Sequence, residues 1–171
     1  MKTEPSVAAL HVGLMAALRH ELKQYGEILA LLEQQQECVL ARAADNVVQS
    51  VGAINGQMKN IQAARREREH CQNEVVALLR PAGDPSFVHL IPLLPEPYRA
   101  AIAALVRENN DLLGRVQQRA RQNHLLLCRS LEMMQQFINT LLPVAPTKTY
   151  NECGQWQPVD QPVQALYQAV G

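Results

Sequence analysis

Three long stretches of this chain place apolar residues at alternating spacings of three and four, and prolines at positions 5, 81, 97 and 143 mark most of their ends. Such spacing lines up one face of an α-helix packed along other helices; a half-buried strand would alternate every second residue. In the first stretch one heptad phase contains His11, Met15, Leu18, Leu22, Tyr25, Leu29, Leu32, Gln36 and Val39. Leu14, Ile28, Leu31 and Leu40 widen the stripe beyond the seam of a two-stranded coiled coil, as helices in a bundle do. The second stretch repeats at Val47, Val51, Ile54, Met58 and Ile61, then at Val75 and Leu79. Between them the phase falls on Arg65, Arg68 and Gln72, inside the polar run ARREREHCQ, which reads as a solvated length of helix or a charged partner face. The third passes through Ile102, Leu105, Leu112, Val116, Ala120, Leu127, Met134, Phe137 and Leu141.

The predicted helices span about 5–41, 46–79 and 96–142. Asp45 is placed to cap the second. Pro81, Gly83 and Pro85 break it, and SFVHLIPLLPEPY, rich in proline, has room for a turn or two of helix that would cap the end of the bundle. Pro97 suits the first turn of the third helix. Three long helices joined by short turns run up, down, up. The expected fold is all-α: an elongated antiparallel bundle of three long helices, residues 1–142, with a short Pro-rich helical segment before the third. A flexible Pro-rich tail, 143–171, would follow. In it, residues 163–170 can form a short amphipathic helix with Val163, Leu166 and Tyr167 on one face, marginal without a partner.

Composition excludes several classes. Apolar residues make up 47% and charged residues 19%, which suits a folded chain, and 4% aromatics favour helices over strands. Lys plus Arg and Asp plus Glu are 16 each, so no net field attracts nucleic acid. Arg115, Arg119, Arg121 and Arg129 form a local basic stripe without aromatics for base stacking, better suited to an acidic protein. No apolar run reaches the roughly 18 residues of a membrane span, so no insertion is expected. Lys2 and VAALHVGLMAAL have the outline of a signal peptide, but Glu4, His11 and the unbroken heptad phase assign them to the first helix. Cys38, Cys71, Cys128 and Cys153 lack any short paired spacing and read as reduced thiols.

Nothing in the chain reads as catalytic. Glu67-x-x-His70 has the spacing of a di-iron bundle ligand pair, but no second E-x-x-H accompanies it. His124 and Cys128, four apart, make two ligands and not a site. Phosphate-binding glycine motifs and nucleophile elbows are absent, so no enzyme, metal or cofactor is expected.

The most informative stretch is Ala120 to Gly154. Asn123, a leucine-rich turn, the helix end Arg129-Ser130-Leu131, a proline-containing break and Tyr150-Asn151-x-x-Gly154 resemble the flagellar export chaperones of the FlgN type. That family carries an N-x-x-N-G-like helix motif and a Y-D-x-x-G-like tail. Here Ala120 stands for the first asparagine, His124 for the glycine and Asn151 for the aspartate.

The resemblance implies a cytoplasmic chaperone for hook-filament junction proteins. It would bind their C-terminal helical segments, prevent premature assembly and deliver them to the cytosolic domain of the export gate. Asn123, Leu131 and Tyr150 match the family's gate-docking places. Met133, Met134, Phe137, Ile138 and Leu141 supply more apolar surface than one seam requires, and with Val163, Leu166 and Tyr167 they form the expected client surface. A homodimer is left open, and the competing reading is a self-associating structural coiled coil or adaptor with no client cycle.

Overall fold

In the computed structural model, which describes residues 7–80 and 85–141, helix α1 (Val7–Leu40) turns back through three residues into α2 (Ala44–Leu79). The turn is a Schellman arrangement. The Ala43 N–H reaches the Cys38 carbonyl at 3.0 Å and the Arg42 N–H that of Val39 at 3.1 Å. Arg42 takes the left-handed conformation at φ 56°, where glycine is usual. Asp45 does not cap α2. The N-cap is Ala43, without a side-chain bond, and Asp45 lies inside the first turn, where its charge meets the positive end of the helix dipole.

A short helix α3 (Phe87–Leu90) and a 3-10 turn (Ile91–Leu93) then lead into α4 (Glu96–Leu141). Among the described residues all elements are helical, and three are long, as the periodicity requires. The chain divides into two compact units, Met1–Asn123 and His124–Gly171, so the division falls within α4.

In the first unit α1 lies between α2 and the beginning of α4. One core cluster joins Leu14 and Leu18 of α1, Val75 of α2, Leu90, Leu94, and Ile102 and Leu105 of α4. Burying each such leucine or isoleucine contributes roughly 2 kcal/mol. Leu90 and Leu94 come from the Pro-rich segment, which thus closes over this cluster. The Arg99 guanidinium holds it there by donating to the carbonyls of Pro92 and Leu94. A second cluster collects Tyr25, Ile28, Leu32 and Ile61, with Leu112 and Val116 packed against it.

The buried seam differs from the apolar phase read from the sequence. On α1 it runs His11, Leu14, Leu18, Glu21, Tyr25, Ile28, Leu32, Gln35. Leu14 and Ile28 take seam places beside Met15 and Leu29, while Glu21 and Gln35 sit where Leu22 and Gln36 were expected. α1 has neighbours on two sides, so its buried arc is wide enough to hold polar residues. On α2, likewise, Gln57 and Ala64 are buried, whereas Met58 and Arg65 are exposed.

The polar run of α2 is therefore not a solvated spacer. Arg68 donates to the Glu21 carboxylate at 3.1 Å, and Arg65 lies 3.8 Å from its other oxygen. The Tyr25 hydroxyl donates to Glu21 at 2.8 Å and accepts from Arg65 at 3.2 Å. Burial, and then the bond to Glu21, push the Tyr25 phenol above its usual range and keep it a donor. Since the Glu21 side chain is 5% exposed and that of Arg68 17%, removing the carboxylate strands a charge. Glu21→Ala is expected to cost about 3 kcal/mol, read as a lower urea midpoint with an unchanged slope. A shift below about 0.5 kcal/mol would mean that solvent screens the network.

Candidate protein-binding surface

Two asparagines of α4 locate it against α1. Asn109 donates from Nδ2 to the Leu18 carbonyl at 3.1 Å, and Asn123 donates from Nδ2 to the Leu32 carbonyl at 2.6 Å. The two donors are 14 residues apart and so are the two acceptors, so the register is the same at both places and the helices run parallel. Asn123 also reaches Gln35 Oε1 at 3.1 Å, and Gln35 donates to Ser50 of α2 at 3.2 Å, which links all three helices at this level. Between the asparagines, Arg119 pairs with Glu33 at 3.5 Å.

Asn123, expected at a docking surface, is thus an interior residue with 2% of its surface exposed. An amide can bond a neighbouring helix's carbonyl without carrying charge into the core, which is why the position accepts burial. Beside Asn109 a cleft of about 150 Å³ opens, lined by Glu21, Tyr25, Arg65, Arg68 and Phe87 among others. Its polar groups are largely committed to one another, and the Arg68 guanidinium lies 6.0 Å from the centre of the Phe87 ring.

The second unit, described over 124–141, is a different surface. Every residue from Leu131 to Leu141 is exposed. Leu131 is 47% exposed, Met133 63%, Met134 62%, Phe137 64%, Ile138 51% and Leu141 60%. At about 100° per residue these six occupy one continuous arc of about 160° around the helix. Glu132, Gln135, Gln136, Asn139 and Thr140 fill the rest. Leu131, read as a gate contact, thus shares an arc with the residues read as client contacts. Leu125, which the sequence reading did not single out, is exposed as well, at 62%. Tyr150, Val163, Leu166 and Tyr167 lie outside the described residues.

The remaining candidates are peripheral. Glu67 and His70 are exposed, and the Glu67 carboxylate meets His20 of α1 at 2.9 Å. His124 Nε2 lies 3.8 Å from Cys128 Sγ. Cys38 and Cys71 are free thiols, and burial pushes the Cys71 thiol up. Among the described residues no group of three His, Cys, Asp or Glu side chains is arranged to hold a metal ion, and no helix is long and apolar enough to cross a membrane.

A helical scaffold registered by interior amides, with a broad apolar arc left open on one helix end, has the build of a protein-binding module. The sequence matches the FlgN protein family over residues 13–158, and the chain belongs to that family. It is a family of flagellar type III export chaperones and not of enzymes. No curated protein and no solved structure gives a significant match.

The asparagines yield a stability prediction. Asn109→Ala and Asn123→Ala should each cost about 1–2 kcal/mol, the net worth of a buried hydrogen-bonded amide. They are about 21 Å apart along the helix, so the double variant should lose the sum to within about 0.5 kcal/mol. Denaturant titration of the four proteins measures this, and a much larger loss in the double variant would show that the two contacts act as one unit.

Proposed function

We propose that this chaperone acts in the cytoplasm on hook-filament junction proteins, taking up their C-terminal helical segments until they reach the export gate. The observation that carries the reading is the open arc from Leu131 to Leu141. Exposed apolar surface of this extent on one helix is a place for an amphipathic partner helix, which dries its own apolar face there. Met133 and Met134 suit the task because their unbranched side chains repack against different partners. Val163, Leu166 and Tyr167 belong to the same client surface in this reading, as a second apolar face supplied by the tail.

Docking to the cytosolic domain of the export gate is assigned to Leu131 and Tyr150 as contacts, with Asn123 as a positioning residue. The Asn123 amide is tied to Leu32, so its effect on docking passes through the placement of α4. Tyr150 stands in a Pro/Thr-flanked segment, and an aromatic anchor of this kind has few rotors to immobilise.

Calorimetric titration with a C-terminal peptide of a junction protein tests the client arm, and titration with the gate's cytosolic domain tests the other. Met134→Ser with Phe137→Ser should weaken the peptide at least about tenfold. It should leave the melting temperature within the range of ordinary surface changes. Tyr150→Ala should keep peptide affinity and lower gate affinity. Unaltered peptide binding in the first variant would remove the client surface from α4, and unaltered gate binding in the second would remove Tyr150 from docking.

A further inference from the structure

The methionines of the chain are Met1, Met15, Met58, Met133 and Met134. Their settings differ. Met15 packs against the first core cluster, and Met58 stands on α2 at 46% exposure. Met133 and Met134 are the most exposed of the described methionines, and both belong to the open arc of α4. Seen down the helix at about 100° per residue, Met133 stands at one margin of that arc, Leu131 at the other, and Met134 between them. Phe137 and Ile138 follow Met134 by three and four residues and flank it on the same face.

An exposed thioether reacts with peroxides. The sulfur lone pair attacks one peroxide oxygen, the O–O bond breaks and an S–O bond forms. The other oxygen of hydrogen peroxide leaves as water and carries both hydrogens. Sulfur gives up two electrons and the peroxide takes them. The sulfoxide puts a dipole, with an oxygen that accepts hydrogen bonds, where an apolar side chain stood. On an open arc water satisfies that oxygen. Under a docked helix nothing does, because Leu131, Phe137, Ile138 and Leu141 carry no side-chain donor and a covering apolar face brings none.

We infer that Met133 and Met134 are a peroxide modification site that closes the arc to client helices. The inference rests on the client reading of the arc. Oxidation leaves the fold alone, since neither methionine belongs to the two core clusters and both already face water. Oxidation and occupancy oppose each other. A docked helix covers both sulfurs, so the oxidant marks the empty chaperone. The marked chaperone takes up no client until a sulfoxide reductase removes the oxygen. Met134 carries the larger share of the effect, because it lies inside the arc, where no shift of the client leaves it wet. A sulfoxide at Met133 can stay in water at the margin.

Treatment of the full chain with hydrogen peroxide tests this. Peptide mapping by mass spectrometry, thermal melting and titration of the junction-protein peptide are run before and after. Dithiothreitol is added before each titration, so that oxidised thiols are restored while sulfoxides persist. Met133 and Met134 should each gain an oxygen before Met15 does. Peptide affinity should then fall at least about tenfold, with the melting temperature changed no more than by ordinary surface substitutions. Methionine sulfoxide reductase should restore the affinity. Peptide at about ten times its dissociation constant should slow oxygen uptake at both sulfurs roughly tenfold. Met133→Leu with Met134→Leu keeps Met58 and every cysteine, and its affinity before peroxide divided by that after should be close to one. Met134→Leu alone should remove more of the effect than Met133→Leu alone. A drop that persists in the doubly substituted protein would overturn the proposal by moving the effect to a thiol or to Met58. A large fall in melting temperature would overturn it by making the loss one of folding. Sulfurs that oxidise as fast under bound peptide would overturn it by placing the peptide off the arc. Unchanged affinity of the oxidised wild type would overturn it and leave the client reading standing, whereas an untreated protein that binds no peptide would overturn both.

Discussion

The paired amide contacts from Asn109 to Leu18 and from Asn123 to Leu32 are the constraint on which the first unit's helix alignment depends. Apolar seams are permissive about register, since leucine against leucine is nearly as good one heptad along. A slip of α4 by seven residues would bring other main-chain carbonyls opposite both asparagines, but it would take Asn123 away from the Gln35 side chain and Arg119 away from Glu33. The side-chain partners are what distinguish one heptad register from the next, since a main-chain acceptor is present in each. Val116, midway between them, packs on the Tyr25 cluster and adds apolar burial where no polar selection is needed.

The α1–α2 pairing is specified by similar means. Gln57 donates to both the carbonyl and the side-chain oxygen of Gln24, at 3.1 Å and 2.9 Å, and the Glu21 network ties the other half of the hairpin. These polar contacts do less for total stability than apolar residues of the same volume could. What they supply is a single alignment. Leu90 and Leu94 then close over the first cluster, so the Pro-rich segment completes the core that the long helices leave open.

Helix positions were legible because proline and heptad spacing are strong, local signals. Boundaries came within a few residues, and Glu96 begins α4 where Pro97 suited a first turn. The seam was legible only in part. Leu22 looks more like a core residue than Glu21 on apolarity alone, and what buries Glu21 is Arg68, 47 residues away. The clue was present in the sequence, in that the apolar phase of α2 falls on Arg65 and Arg68 and needs acids opposite. Asn123 carried a family resemblance but no sign of its burial, since an asparagine on a helix serves a surface or a seam equally well. The end of α4 was ambiguous for the opposite reason: Met134, Phe137 and Leu141 make the same pattern whether a bundle or a partner covers them.

The width of that terminal arc has a consequence for stoichiometry. The buried residues of α1 also sweep an arc of about 140° at the usual helical rotation, and α1 needs two neighbours, α2 and α4, to cover it. One helix laid along another shields a narrower stripe, the a/d seam of a coiled coil. The arc from Leu131 to Leu141 is as wide as that of α1, so a lone occupant helix leaves one of its margins wet. Drying it fully takes two helical elements side by side, either a hairpin from one partner or single helices from two sources meeting on the same rod.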